Sequence, residues 1–454
     1  MELKNQVQAQ RDFFASRATL PYEFRRAALE NLLKGIKRHE QDILQALWID
    51  LRKSEFEAWG TEVGIVESEI RYAIKNLKKW MRTVKRPTPL MLFPSQSRIV
   101  QEPLGVSLII APWNYPFQLV LMPLVGAIAA GNCAIVKPST AAQATAEILE
   151  KIINEVFDPN YVKVINGENS LTDELLAERF DYIFYTGGIG YGKYVATAAA
   201  KHLTPTTLEL GGKSPCIVAR DADIALAARR IVWGKMLNAG QTCVAPDYIL
   251  VDQDVKQSLA EHLCVEIERQ FGSNPQLSPD YARIINDTQF KRLVNMMGQA
   301  NVICGGQTDA AQRYIAPTVM DQVDIKSELM TSEIFGPLLP IVGFDNIDQA
   351  IDYVVKGEKP LALYCFTKSK QTAKRIIQHT SSGGACVNDV VVHVASTYLP
   401  FGGVGLSGWG TYHGKATFDT FSHARAVIST TTAININVKF APYLNRIKIL
   451  KRFM

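Results

Sequence analysis

Three short, turn-rich runs of this chain carry a thiol, a carboxylate and a side-chain amide. Cys243 lies in Gly240-Gln241-Thr242-Cys243-Val244-Ala245-Pro246, Glu209 in Glu209-Leu210-Gly211-Gly212-Lys213-Ser214-Pro215, and Asn114 in Pro112-Trp113-Asn114-Tyr115-Pro116. A thiolate attacks a carbonyl carbon, and a nearby carboxylate then activates water. An amide N–H is what the resulting tetrahedral oxyanion needs. Each residue also has an ordinary reading. Cysteines are commonly buried for packing, Glu209 could end a strand in a salt bridge, and Asn114 sits among turn formers. The joint occurrence of the three, in this order, has no such explanation.

Further runs place backbone or charge where a ligand could lie. Phe184-Tyr185-Thr186-Gly187-Gly188-Ile189-Gly190-Tyr191-Gly192-Lys193 follows a strand and opens a helix. Such a turn is ordinary architecture, or a phosphate cradle at a helix N-terminus. Lys137-Pro138-Ser139 ends another strand, where an ammonium meets either ribose hydroxyls or solvent. Glu333-Ile334-Phe335-Gly336-Pro337 offers a carboxylate and a ring, and Pro400 to Gly408 is a glycine-dense loop that permits close approach or motion. His413 reads as a pocket-lining or structural residue ahead of a catalytic one. From Pro442 to Met454, Leu444, Ile447 and Leu450 recur at helical spacing among four basic residues. That pattern suits a helix docked on its own protein, with an anionic membrane surface as the alternative.

Positioning such groups takes regular elements. Residues 1–80 read as amphipathic helices, with Phe13, Phe14, Leu29, Leu32, Leu33 and Ile36 at helical spacing. Pro87, Pro89 and Pro94 mark an excursion. From Gly105 onward, apolar strand runs at 106–110, 133–137, 161–165 and 181–186 alternate with helical segments, the signature of a doubly wound parallel sheet. A second alternating block begins after Gly212, with strands near 215–219, 247–252, 338–344, 361–366 and 384–388. A last strand is expected at 425–429.

With 454 residues the chain exceeds one ordinary core. Its 47% hydrophobic and 20% charged content is that of a soluble globular protein, and a net charge of +5 without basic runs gives no case for nucleic acid. Seven scattered cysteines argue for reduced thiols in a cytoplasmic protein, and seven histidines without ligand-spaced pairs give no metal site. The segment from Phe117 to Ala130 is too short to span a bilayer, so no integral membrane segment is expected.

In order and over nearly the whole chain, these segments resemble the aldehyde dehydrogenase superfamily. The short N-terminus, the Cys-x-Ala-Pro-Asp-Tyr run at 243–248 and Tyr412-His413-Gly414 are similar to its class 3 branch, which takes aromatic and medium- to long-chain aliphatic aldehydes. The resemblance implies an α/β fold of two doubly wound parallel-sheet domains plus a small β oligomerisation arm. The implied division is 1–81 and 103–209 for cofactor binding, 210–396 for catalysis, 82–102 and 420–454 for the arm and tail, and 397–419 for the glycine-rich return. It implies Cys243 as nucleophile, Glu209 as base and Asn114 as oxyanion donor. NAD or NADP would contact Lys137, Thr186, Gly187, Gly188, Gly192, Leu210, Glu333 and Phe335. Tyr115, Trp233, Leu237, Thr242, Val391, Val394, Phe401 and His413 would line the aldehyde pocket. A homodimer is implied as well. Thr140 stands where the cofactor motif often has glutamate, and the long apolar anchor that ends some class 3 members is absent. The rivals are a CoA-acylating enzyme on the same scaffold, which needs no base at Glu209, and a non-catalytic protein retaining the fold.

Overall fold

In the computed structural model, which describes residues 2–168, 170–443, 447–448 and 451, two large sheets share one apolar core. The first sheet has the order Gly408–Trp409, Thr206–Leu210, Tyr182–Gly187, Val106–Ile110, Cys133–Lys137, Val162–Val164. All neighbours are parallel except Gly408–Trp409, which runs antiparallel to Thr206–Leu210. The strands Val106–Ile110 and Cys133–Lys137 are buried at every position, which is why they read as unbroken apolar runs. Winding proceeds one way from Val106–Ile110 through Val162–Val164, then returns to the other side at Tyr182–Gly187. The switch point therefore lies between the ends of Val106–Ile110 and Tyr182–Gly187, where open α/β sheets bind ligands.

The second sheet runs Asn301–Cys304, Thr318–Asp321, Leu338–Phe344, Tyr248–Asp252, Pro215–Val218, Ala362–Phe366, Gly384–Val387. It is parallel apart from the antiparallel Asn301–Cys304 edge. Neither Asn301–Cys304 nor Thr318–Asp321 is among the strands expected from the sequence. Both are four residues long, and the first is largely exposed, so neither has an apolar run to announce it. A third sheet of Val84–Arg86, Gln96–Pro103 and Ser422–Ser429 is antiparallel, and the last of these begins three residues before the expected 425. Its companion loop exposes Leu90, Met91, Leu92 and Phe93. The α/β class with two parallel-sheet layers and a small β arm is thus the observed architecture.

The N-terminal helices contain one irregularity that matters below. Between the helices Glu55–Ala58 and Gly64–Trp80, residues Trp59–Val63 form a π-helical turn. Such turns hold one residue more than an α turn and concentrate at functional sites. Here the turn directs Glu62 fully inward.

One expectation is corrected. Cys264 and Cys304 form a disulfide that ties the helix Lys256–Phe271 to the sheet edge, leaving five free cysteines. Forty residues separate the pair, so only the antiparallel edge strand, invisible in the sequence, brings them together. No described helix is long and apolar enough to cross a membrane. Of the C-terminal tail, Leu444, Arg446, Leu450 and Arg452 lie outside the described residues.

Candidate active site

Cys243 sits where two cavities meet. One, of about 290 Å³, holds most of the polar groups of the site and is termed the polar cavity; Asn114, Thr186, Gly187, Gly188, Glu209, Leu210, Glu333 and Phe335 line it, together with apolar Trp113 and Leu119. The other is apolar, lined by Tyr115, Leu237, Thr242, Val391, Val394, Phe401, Tyr412 and His413 among others. Among the described residues, only Cys243 and Leu119 line both. A third hollow, lined by Trp59, Gly60, Ala395 and Thr397, shares Ile65, Val394 and His413 with the apolar cavity.

Local chain geometry explains how the three chemical groups converge. Asn114 follows the strand Val106–Ile110 and Glu209 lies near the end of Thr206–Leu210, both at the switch-point edge of the first sheet. Cys243 follows the helix Ile224–Met236 through a kink in which Asn238 (φ 52°) and Ala239 (φ 50°) are left-handed. Gly240 comes next, at φ +76°, and a Cβ there would lie 2.2 Å from the Gly336 carbonyl oxygen. The Gln241 side chain pins the kink. Its Nε2 donates to the Asn238 and Arg283 carbonyls (both 2.9 Å), and its Oε1 accepts from the Ile285 N–H at 3.0 Å. Asn114 Nδ2 donates to the Gln241 carbonyl at 3.0 Å, which locks the amide beside the cysteine loop. Five of the eleven described non-glycine residues at positive φ belong to this region: Asn238, Ala239, Phe335, Val391 and His413. For β-branched Val391, at φ 65°, that is a marked outlier, and strain of this kind gathers at ligand sites.

Burial sets the electrostatics of the polar cavity. Burial pushes the Cys243 thiol up to about 12, Glu333 and Glu209 push the same way, and the N–H groups of Cys243 and Val244 oppose them. Burial raises the Glu209 carboxyl far above the usual range. Burial and then Asp247 raise Glu333 to about 8. Neither Glu209 oxygen has a hydrogen-bond partner, nor do Asn114 Oδ1 and Thr186 Oγ1. Buried polar atoms are rarely left so. Four of them round one cavity mark it as a place for a polar ligand.

Glu333 and Phe335 are presented by a segment held from below. Arg292 donates to the carbonyls of Glu333 (3.3 Å) and Ile334 (2.6 Å), and Asp247 accepts from the Ile334 N–H at 2.9 Å. Lys213, paired with Asp247, donates to the Leu329 and Ser332 carbonyls. The Glu333 carboxylate rests on Gly211, where a Cβ would come within 2.0 Å of it. Phe335 stands edge-on to Trp113, with ring centres 5.4 Å apart.

Three expected contacts fall outside these cavities. Lys137 is buried at its strand end with its ammonium turned onto the carbonyls of Pro138 (3.1 Å) and Gly167 (2.8 Å). Gly192 is buried behind Leu210 and Tyr185, one turn into the helix Ile189–Ala200. Trp233 is 41% exposed on the helix Ile224–Met236. His413 lines the apolar cavity stacked on Phe401, and burial drives it down to about 3, so it is a neutral wall. Tyr412, of the Tyr412-His413-Gly414 run, also lines the apolar cavity. Arg292, Gln289 and Thr61 line the cavities without having stood out in the sequence. They belong to no turn motif. Among the described residues no group of three or more His, Cys, Asp or Glu could hold a metal.

The accessibility of the thiols gives a direct test. Cys243 is the one unbridged cysteine that is only half-buried, although its sulfur lies deep; the other four free cysteines are buried. Iodoacetamide should therefore label Cys243 alone in the folded protein. Because its pKa is raised, the thiolate fraction is small at neutral pH and grows about tenfold per unit as pH rises. Labelling rates from pH 7 to 9 should follow that slope. A flat profile, or label on Cys133, Cys216, Cys365 or Cys386 by mass spectrometry, would contradict this account.

Comparison with known proteins gives the family. A model of the aldehyde dehydrogenase family matches residues 1–427. The 4,4'-diaponeurosporen-aldehyde dehydrogenase of Staphylococcus aureus is 47% identical over 97% of this chain and 96% of its own. Aldehyde dehydrogenase family 3 member A2 of Macaca fascicularis is 48% identical over 93% of this chain and 87% of its own. Among solved structures, the substrate-bound state of Staphylococcus aureus AldH superposes with a TM-score of 0.98 at 46% identity, covering 99% of both chains.

Proposed function

The chain belongs to the aldehyde dehydrogenase family, and from that premise we propose that it oxidises aromatic or medium- to long-chain aliphatic aldehydes to carboxylic acids through a covalent adduct on Cys243. The observation that carries this reading is the thiol at the junction of an apolar and a polar cavity. An aldehyde tail suits the first, and the reacting carbonyl then meets the groups of the second.

The family implies NAD or NADP, and the polar cavity fits such a group. The helix Ile189–Ala200 starts at Gly188 with no side-chain cap, and a Cβ at Gly188 would meet nothing within 4 Å. Uncapped N–H groups at a helix start suit a pyrophosphate. Thr186, Gly187 and Gly188 would hold that end, and Glu333 and Phe335 the other. A cofactor held there would supply the hydride acceptor for the substrate carbon.

The chain's own residues do the rest. Once its proton has passed to solvent, the Cys243 sulfur bonds as a thiolate to the aldehyde carbon, and the oxyanion that forms takes hydrogen bonds from the Cys243 N–H and from Asn114. One Asn114 N–H is already spent on Gln241, which leaves the second to donate to the oxyanion. After oxidation the acyl group remains on sulfur as a thioester. Glu209 takes a proton from water, the oxygen adds to the thioester carbon, and the C–S bond breaks to release the acid and restore the thiol. A buried carboxyl with unpartnered oxygens suits that task, because its raised pKa makes it a stronger base once ionised. A homodimer joined through the three-stranded arm, whose loop exposes Leu90 to Phe93, belongs to the same proposal.

Absorbance of reduced nicotinamide, followed over a panel of aldehydes with and without CoA, tests the reading. Catalytic efficiency should rise with apolar tail length or an aromatic ring and should not need CoA. Strict dependence on CoA would favour the acylating alternative.

Cofactor choice gives a second test. A glutamate at position 140 would repel a 2′-phosphate, and Thr140 has no charge to do so. Two charges about 4 Å apart interact by roughly 4 kcal/mol at an effective dielectric near 20, before solvent screening. We expect both NAD and NADP to serve, and Thr140→Glu to lower the NADP/NAD efficiency ratio by about tenfold or more, or roughly 1.4 kcal/mol. Strict use of NAD by the unmodified protein would place the discriminating group elsewhere.

A further inference from the structure

The ion pair Lys53–Glu62 takes no part in the steps above, yet both side chains are fully buried, with Nζ and Oε1 2.5 Å apart. It lies against the turn that carries Asn114. We propose that Lys53 and Glu62 are positioning residues for the oxyanion-binding amide, fixing residues 114–118 so that Asn114 is aimed before substrate arrives. The inference rests on the reading of Asn114 given above.

The contacts bracket the turn from both sides. Lys53 Nζ donates to the Asn114 carbonyl at 3.0 Å and sits 3.9 Å above the centre of the Tyr115 ring. Glu62 Oε2 accepts from the N–H groups of Phe117 (2.9 Å) and Gln118 (3.0 Å). Between them stands Pro116, which has no N–H to offer. The Asn114 carbonyl receives a second donor, Asn238 Nδ2, at 2.7 Å, and the Asn238 N–H is held by Glu57 Oε1 at 2.6 Å. The main chain of Asn114 is thus clamped, and its side chain is tied to the cysteine loop through Gln241.

Charge is an expensive way to fill a core. A buried ion pair replaced by packed apolar groups is often no less stable, so packing alone does not account for this one. A lysine has three N–H bonds on a long stem. Here one side chain reaches Glu62, the Asn114 carbonyl and the Tyr115 face together. The π turn Trp59–Val63 is what points Glu62 at it.

A cycle of variants tests the assignment: the unmodified protein, Asn114→Ala, Lys53→Met with Glu62→Gln, and all three changes together. Two rates are read, kcat for an apolar aldehyde and cofactor-independent hydrolysis of a p-nitrophenyl ester, and reduced-cofactor affinity is followed by fluorescence. Asn114→Ala should lower both rates about 100-fold. The pair variant should lower both about tenfold with cofactor affinity unchanged. The triple variant should be within about twofold of Asn114→Ala, because the amide through which the pair acts is gone. A tenfold loss that persists on top of Asn114→Ala, or a folded pair variant as fast as the unmodified protein, would overturn the proposal and leave the oxyanion assignment standing. Unaltered rates in Asn114→Ala would overturn both. Thermal unfolding reports whether each variant folds. Should the pair variant not fold, Glu62→Gln alone, which keeps an acceptor for Phe117 and Gln118, enters the same cycle under the same criteria.

Discussion

Cys243→Ala is expected to lose dehydrogenase and ester-hydrolysing activity together, by on the order of 10⁴-fold or more, while reduced cofactor binds as before. Removing the nucleophile from a covalent mechanism costs about this much because the remaining groups have nothing to act on. The sparing of the cofactor follows from geometry. Thr186, Gly187, Gly188, Glu333 and Phe335 line the polar cavity from other segments, and the cysteine loop is pinned by Gln241, not by the thiol. With its pKa raised by burial and two carboxyls, the thiol is neutral near pH 7 whether the chain is folded or not, so an alanine should change stability little. Turnover within tenfold of the unmodified protein would remove Cys243 from the mechanism. Loss of cofactor binding in a folded variant would mean that the thiol helps to shape the polar cavity.

Glu209→Gln should separate the two halves of the reaction. Glutamine keeps the shape of glutamate and cannot take the water's proton. Adduct formation and oxidation should continue, and thioester hydrolysis should slow by about 10²- to 10⁴-fold. Rapid mixing should therefore show a burst of reduced nicotinamide of about one equivalent per site, followed by a slow steady state. The same substitution should raise the melting temperature by a few degrees or leave it unchanged, because both Glu209 oxygens are buried without partners and an ionised carboxylate is costly there. If the burst is absent and turnover is normal, Glu209 serves the fold alone.

Much of this architecture can be read from apolar runs. Val106–Ile110 and Cys133–Lys137 are continuous because both faces of their sheet are covered. Asn114, Glu209 and Cys243 are legible because turn formers and glycines surround them, and the structure places all three around one cavity. What escapes the sequence is whatever depends on pairing across distance. Lys53 and Glu62 look like ordinary charges of an amphipathic helix, and only the third dimension buries them. Cys264 and Cys304 meet across an edge strand too short to show a pattern. Lys137 has the right address, at a strand end beside the switch point, but its ammonium is captured by two nearby carbonyls. A local motif reports where a side chain begins and says less about where its far end goes.

The turn at Trp59–Val63 also constrains how the sequence can drift. A helix with an extra residue in one turn ordinarily invites its own repair, since deleting that residue restores regular i to i−4 bonding. In this chain the repair would be ruinous. The flanking helices would keep their phase, because the wide turn absorbs its extra residue, but positions inside the turn would be re-spaced by up to about 100° round the axis, which would carry Glu62 away from Lys53. The packing of Gly64 under the Trp59 ring, where a Cβ would meet the indole at 2.8 Å, would be undone by the same step. The irregular turn thus behaves as a ratchet. The neighbouring surface, including fully open Gly60, can vary in residue type while the residue count across it stays frozen.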